Sequence, residues 1–278
     1  MLRGMVGLSS LSNDVLPRKV LRHGAYLCVR ARDGQRLAER GIDALVKQFG
    51  FENEFDATNG HPTDAVAFLR RVDATPRAIT DEALFRAEAV VHIASGRAEP
   101  VDRLCAEMAR SLEADAIVAI MRGVVRPPSF TGTAMNNFAY VQQLQQQRGD
   151  AMPHAFIVPM RKDARWFAKS WLERHTYFLP RFDDAGRMTH EGHVLTAAPG
   201  IPHLMRRTYK YATEPAPDGA YDFVNYFECA DSGVPVFFEV CAGLRDVARN
   251  PEWRFVQEGP TWRGRRVRSW RDLVDHLP

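Results

Sequence analysis

The chain has 278 residues, a formal net charge of +3 and 45% apolar residues, which are ordinary values for a soluble globular protein. This length allows one large domain or two of ordinary size. The near-neutral charge predicts neither a nucleic-acid partner nor a membrane-surface partner, and no run approaches the roughly 18 apolar residues of a transmembrane helix.

The first half alternates predicted strands and helices after a loose leader over residues 1–22. Residues 23–31, 87–95 and 116–125 read as strands, and residues 35–50 and 99–112 read as amphipathic helices. Residues 51–82 are polar and rich in turn signals, so they receive no assignment.

The second half follows a polar connection at residues 131–153 and repeats the order. Predicted strands lie at 155–160, 203–212, 221–229 and 253–259, and predicted helices at 165–179 and 234–249. The basic run WRGRRVRSWR near the C-terminus (262–271) reads as a solvated terminal segment. Strands alternating with helices on one face of an antiparallel sheet are the ferredoxin-like plan. We therefore expect an α+β fold with two tandem ferredoxin-like domains, over residues 20–150 and 151–278.

The four cysteines indicate the compartment. Cys28, Cys105, Cys229 and Cys241 show no CxxC spacing, so a zinc knot is not expected. Nothing suggests a disulfide framework, which favours a reducing compartment, and the first twenty residues lack the apolar core of a signal peptide. The sequence therefore predicts a cytoplasmic protein.

His193 and Arg206 are the residues most able to carry chemistry. A neutral imidazole can ligate a metal or haem iron, although a histidine bonded to a backbone carbonyl is the simpler reading of His193. Arg206 and Arg207 are adjacent on a predicted strand and must face opposite sides of the sheet. An arginine directed into a partly apolar cavity requires an anion or an acceptor there, whereas on an edge strand both arginines would be solvated.

The segment HEGH (190–193) does not predict a zinc site. Its second histidine comes one residue too early to share a helix face with the first, as the HExxH pattern requires. The segment that follows is apolar and broken by proline, and it offers no acidic third ligand.

An ordered series of short motifs resembles the chlorite dismutase family of haem proteins. The series covers roughly residues 85–270, more loosely 20–270, and its members are SLEADAIVAIMRGVVRPPSF (111–130), FIVPMRKDARWF (156–167), SWLER (170–174), HVLTAAPGIPHLMR (193–206), RRTYKY (206–211), YDFVNYFE (221–228), VCAGLRDVARN (240–250) and EGPTWRG (258–264). The resemblance implies that family's fold, a dimeric α+β barrel.

The same resemblance implies a haem b-dependent oxidoreductase that decomposes chlorite or a related small oxidant. His193 would be the proximal iron ligand, and Arg206 would hold the anionic oxidant on the distal side. Five weaker candidates for the pocket wall or for the haem propionates are Arg126, Arg161, Lys162, Trp166 and Tyr209. The family also implies a homo-oligomeric ring, with a pentamer favoured. The alternatives are a relative that uses haem on peroxide or a small organic molecule, and a haem-free binding protein.

Three departures from the family pattern bear on this interpretation. The segment between Arg174 and His193 is longer than in the family and holds His175 and His190, which are rival iron ligands. Arg249 stands where the family has a glutamate that hydrogen-bonds the proximal histidine, so we expect no carboxylate beside His193. Val158 precedes Pro159 where the coproheme decarboxylase branch has a tyrosine, which disfavours that branch.

Overall fold

The computed structural model describes residues 23–55, 64–125 and 152–277, which form an α+β fold of antiparallel strands and flanking helices. The strands are β1 (His23–Ala31), β2 (Glu52–Asn53), β3 (Asp64–Thr75), β4 (Ala89–Ser95), β5 (Ala116–Val125), β6 (His154–Lys162), β7 (Arg181–Phe182), β8 (Met188–His190), β9 (Leu204–Lys210), β10 (Phe223–Cys229), β11 (Val256–Glu258) and β12 (Thr261–Val267). The helices are α1 (Ile42–Gln48), α2 (Glu82–Arg86), α3 (Ala98–Leu112), α4 (Ala164–Phe167), α5 (Trp171–Thr176), α6 (Gly192–Ala197), α7 (Gly233–Arg245) and α8 (Trp270–Asp275).

The main sheet closes on itself. Its strands follow the order β10-β9-β5-β1-β4-β3-β12-β6, and β6 pairs again with β10. Closure leaves no free edges along this circuit, and successive side chains on each strand alternate between the barrel interior and the outer face. The main-sheet pairs along this circuit are antiparallel, as the sequence predicted.

Each face of the barrel wall has its own apolar core. The interior core includes Tyr26, Ile157, Tyr209, Tyr226 and Trp262. On the outer face, α1, α3 and α8 cover the strands of the first half, and α7 covers part of the second half. The division at residue 150 stays a prediction, although α8 at the end of the second half contributes to the first half's core.

Strongly patterned elements match the prediction. The strands at 23–31 and 116–125 have the expected bounds, and α3 buries the i, i+3, i+4 positions of its predicted helix. The predicted helix at 35–50 is shorter, because α1 covers only Ile42–Gln48. The predicted helix at 165–179 is two short helices, since Ser170 caps α5 with a full capping box. The unassigned stretch 51–82 contains β3, the longest strand of the described residues.

The basic C-terminal run is not a solvated segment, so that prediction was wrong. It forms β12, which pairs with β3 and β6 inside the barrel wall, and then α8. Trp262 and Trp270 are fully buried, and Arg266 is only 3% exposed. A strand in a closed barrel needs alternation rather than low charge, so Arg266 and Arg265 point to opposite faces.

The four cysteines are buried and unpaired, and burial raises the pKa of each thiol, which fits small core residues. Within the described ranges, no helix has the length and apolar character needed to cross a membrane.

Candidate functional site

A mostly apolar cavity, partly open to solvent, lies between the outer face of β6, β9 and β10 and the helices α4, α6 and α7. Its apolar walls include Val158, Phe178, Leu204, Phe223, Phe227, Phe237 and Val240. Most of its surface is apolar, but ten lining side chains are polar or charged, among them the carboxylates Glu214, Asp222 and Glu258. An apolar wall that carries polar groups at set points is the usual character of a small-molecule or cofactor site.

The alternation along β9 decides which of its side chains reach the cavity. Leu204, Arg206, Thr208 and Lys210 line it, as the sequence pattern predicted for one face of this strand. Arg207 faces the barrel interior and lies 3.3 Å from Glu54, with both side chains buried. The two adjacent arginines therefore lie on opposite sides of the sheet, Arg206 at the cavity and Arg207 in the barrel interior.

His193 enters the cavity from the first turn of α6. The turn begins at Gly192, whose φ of 68° favours glycine and where a Cβ would lie 2.4 Å from the Leu179 carbonyl oxygen. The backbone N–H of His193 donates to the Tyr177 carbonyl, and its ring lies 5.1 Å from the Phe178 ring. The close approach of this turn to Leu179 fixes where the imidazole stands.

Glu252 lies beside His193 at the bottom of the cavity. Its Oε2 is 2.9 Å from His193 Nδ1, and its Oε1 accepts a hydrogen bond of 2.6 Å from Lys162 Nζ. Burial would raise the pKa of this carboxyl, but the Lys162 ammonium and the His193 hydrogen bond outweigh it and lower the pKa to about 2. An ionised carboxylate can only accept, so Nδ1 carries the proton and Nε2 is the nitrogen left to act as a ligand.

Lys162 is held by more than its ion pair. Its Nζ lies 4.2 Å from the centre of the Trp166 ring, a cation–π distance, and its side chain is almost fully buried. Trp166 is itself 1% exposed, so it forms a rigid wall beneath the charged group. Lys162, Glu252 and the partly buried His193 therefore form one hydrogen-bonded chain from β6 to α6.

Arg206 lies on the sheet side of the same cavity. Its Nε donates to Thr208 Oγ1 and its Nη2 donates to Asn225 Oδ1, each at 3.2 Å. The guanidinium carbon lies 5.9 Å from the centre of the Phe227 ring. A planar cation that never deprotonates thus borders a largely apolar space.

The predicted site residues divide into three groups. His193, Arg206, Lys162 and Trp166 line one cavity. Tyr209 does not line it, because β9 turns this side chain into the barrel, where its hydroxyl lies 3.0 Å from His92 Nε2. Arg126 lies outside the described residues.

The other weaker candidates stand apart from the cavity. Arg161 lies 3.7 Å from the exposed Asp218. The rival ligands His175 and His190 are absent from the cavity lining, and His190 Nδ1 bonds the Ala248 carbonyl at 2.8 Å. Within the three described ranges, no cluster of three or more histidine, cysteine, aspartate or glutamate side chains could hold a metal ion.

The expectation that His193 lacks a carboxylate neighbour was wrong. Glu252 fills this role, three residues beyond Arg249, and Arg249 instead pairs with Glu191 at 2.8 Å. Glu252 lies in a short 3₁₀ helix (Pro251–Phe255) that follows α7, so counting along the helix placed the position wrongly. In the sequence Glu252 is marked only by its place after Pro251, because its burial depends on the fold.

Solved structures share this fold. A double mutant of chlorite dismutase from Candidatus Nitrospira defluvii aligns with a TM-score of 0.64 and 15% identity over 92% of this chain and 96% of that one. A variant of the same enzyme with lysine in place of an arginine gives 0.62, with 17% identity over 93% and 96%. The chlorite dismutase of the same organism in complex with imidazole aligns with a TM-score of 0.64 and 15% identity over 92% of this chain and 95% of that one.

The chain therefore has the chlorite dismutase fold, and the resemblance read from the sequence is confirmed at the level of fold. No family model matches the chain, and the search of curated proteins finds no match.

Proposed function

We propose that the chain is a haem b-dependent oxidoreductase that holds haem in this cavity and decomposes chlorite or a related small oxidant. The observation that carries the proposal is that His193 and Arg206 line one apolar cavity, with a buried carboxylate on the histidine. A single neutral imidazole with its second nitrogen engaged is a common protein ligand of haem iron.

The donor set fits haem in three respects. The cavity walls are apolar and aromatic, as the faces of the macrocycle require. His193 offers one imidazole nitrogen, and the cation Arg206 borders the same space, as does Lys210, which is paired with Glu214 at 2.8 Å. When bound, haem supplies the electron and oxygen transfer that no side chain of this site can perform.

The chain's own residues then have distinct tasks. Glu252 keeps the proton on Nδ1 of His193 and makes Nε2 a stronger donor. Lys162 balances the buried charge of Glu252. Arg206 holds an anionic substrate by charge and by directed N–H groups, and the apolar walls reduce contact with water so that this attraction is stronger than in solution.

We propose further that the protein is cytoplasmic and forms a homo-oligomeric ring, with a pentamer favoured and with neither nucleic acid nor a membrane as partner. The fold resemblance supports the ring, as do large apolar side chains exposed on the surface: Trp171, Leu172, Phe182 and Met188. Sedimentation should give a multiple of 31.4 kDa. A protein that is monomeric at all concentrations would contradict the ring.

A haem titration followed by Soret absorbance tests the proposed function. Wild type should bind one haem per chain with a histidine-ligated spectrum, and His193→Ala should lose that spectrum. His190→Ala is the matched control, because this histidine lies off the cavity and should leave the spectrum unchanged. A wild-type protein that stays colourless with added haem would contradict the proposal and favour a haem-free binding protein.

A second experiment tests the substrate of the haem-loaded protein. Haem-loaded wild type should evolve oxygen from chlorite, and Arg206→Gln should lower kcat/KM by about tenfold or more, the size of a lost charge-assisted hydrogen bond. Haem-loaded protein that releases no oxygen from chlorite but consumes peroxide would move the proposal to that oxidant and leave the haem site intact.

A further inference from the structure

Two neutral side chains hold the cavity's arginine. Thr208 and Asn225 are cross-strand partners on β9 and β10, and both line the cavity beside Arg206. They are 3% and 5% exposed, so their polar atoms have little access to water. Their hydrogen bonds are therefore set by each other and by their neighbours.

The three side chains form a closed hydrogen-bonded ring. Thr208 Oγ1 donates to Asn225 Oδ1 at 2.7 Å and accepts from Arg206 Nε at 3.2 Å. Asn225 Oδ1 also accepts from Arg206 Nη2 at 3.2 Å. The hydroxyl thus uses its single proton toward the asparagine, which leaves its lone pairs for the arginine.

The asparagine can serve in one orientation only. Its Nδ2 lies 3.7 Å from the Met160 sulfur, a weak acceptor, while Oδ1 receives two donors. A flipped amide would set its NH₂ group against the guanidinium and remove the acceptor of the Thr208 hydroxyl. The packing of β6, β9 and β10 therefore fixes where the guanidinium lies.

We infer that Thr208 and Asn225 are positioning residues, which orient Arg206 for an anionic ligand without cancelling its charge. A carboxylate in the place of Asn225 would orient the arginine equally well, yet it would offset the positive potential that attracts an anion. Neutral acceptors add no negative charge of their own beside the guanidinium, and they fix its orientation at the cavity. The inference deepens the proposed function and rests on it for the identity of the ligand.

The first test needs no haem. The Nε–H resonance of Arg206 is followed by ¹H–¹⁵N NMR in the haem-free protein and assigned by its loss in Arg206→Lys. Wild type should show a resonance protected from solvent exchange. Thr208→Val keeps the shape and removes the acceptor, so protection should be lost, whereas Thr208→Ser should restore it. Thr261→Val is the matched control, because Thr261 is equally buried and lies off the cavity lining.

The second test measures fluoride and nitrite affinity in the ferric haem-loaded protein by absorbance. Asn225→Asp should weaken both anions by about tenfold or more, and Thr208→Val by less, while Thr208→Ser and Thr261→Val should match wild type. Wild-type affinity in Asn225→Asp, or an unchanged Nε–H resonance in Thr208→Val, would overturn the inference. If wild type binds no haem, the proposed function fails, and the resonance test still decides whether Thr208 positions Arg206.

Discussion

Glu252 Oε2 lies 2.9 Å from His193 Nδ1, although 59 residues separate the two along the chain. The contact joins the first turn of α6 to the 3₁₀ helix after α7, and Lys162 on β6 completes it from the sheet. Three elements that are distant in sequence thus meet at one buried charge. Because Lys162 and Glu252 are both buried, the loss of either one leaves the charge of the other poorly compensated.

Glu252→Gln should destabilise the protein by about 3 kcal/mol, because the buried Lys162 ammonium loses its counter-charge. Urea unfolding monitored by far-UV circular dichroism measures this. The control is Glu191→Gln, which breaks the more exposed pair with Arg249 and should cost less than about 1 kcal/mol. Equal losses of unfolding free energy in the two variants would show that the buried pair contributes no more to stability than the exposed pair.

Acid should reveal the same carboxylate. Its folded-state pKa of about 2 lies below the ordinary value of 4.5, so its contribution is fully present above pH 4.5 and is lost as pH falls toward 2. The shift corresponds to about 3 kcal/mol of stability. Unfolding free energies of wild type should therefore fall more steeply than those of Glu252→Gln between pH 4.5 and 3. Parallel curves would contradict the low pKa.

Local patterns predicted the barrel strands and failed where a residue's role depends on distant partners. The alternation of β9 placed Arg206 and Arg207 on opposite faces, because the period of a strand is a local property. Glu252 carried no such pattern, since its significance comes from Lys162 and His193 across the fold. The prediction for the C-terminal run was wrong because it relied on the high charge of the run and not on its alternation. The closed barrel places this strand between β3 and β6, and this pairing buries Arg266.

Two adjacent arginines of β12 test that reading. Arg266 Nη1 lies 3.5 Å from the buried Glu228 carboxylate, whereas Arg265 is 47% exposed at the side chain. Arg266→Ala should cost about 3 kcal/mol, and Arg265→Ala less than about 1 kcal/mol. Chemical denaturation of both variants measures the difference. Similar small losses of unfolding free energy in the two variants would contradict the burial of Arg266 and favour a solvated segment.

Gly24 and Gly123 make room for Tyr209 where β5 meets β9. A Cβ at Gly24 would lie 2.2 Å from Tyr209 Cε1, and one at Gly123 would lie 2.9 Å from Tyr209 Cβ. Gly24→Ala should therefore destabilise the fold by about 1–3 kcal/mol through overpacking. In a double-mutant cycle with Tyr209→Ala, most of that loss should disappear, because the ring that it meets is gone. Additive losses would place the strain elsewhere.

His92 gives the barrel interior its own pH dependence. The ring stacks between Tyr26 and Tyr226 at 4.9 and 4.4 Å, and Nε2 bonds the Tyr209 hydroxyl. Burial is the main cause that lowers the pKa of His92 to about 4; Arg207 and Arg266 contribute to the lowering, and Glu54 and Glu228 oppose it.

The sign of the His92 effect follows from the proton that only the unfolded chain binds. Below pH 6.5 the unfolded imidazole is protonated and the folded one is not, so stability is complete above pH 6.5 and falls as pH drops toward 4. The difference between the ordinary pKa of 6.5 and the folded pKa of about 4 corresponds to about 3 kcal/mol. Unfolding of wild type and His92→Phe at pH 7.5, 6 and 5 should give a steeper fall for wild type. An equally steep fall in the variant would mean that other groups control stability in this range.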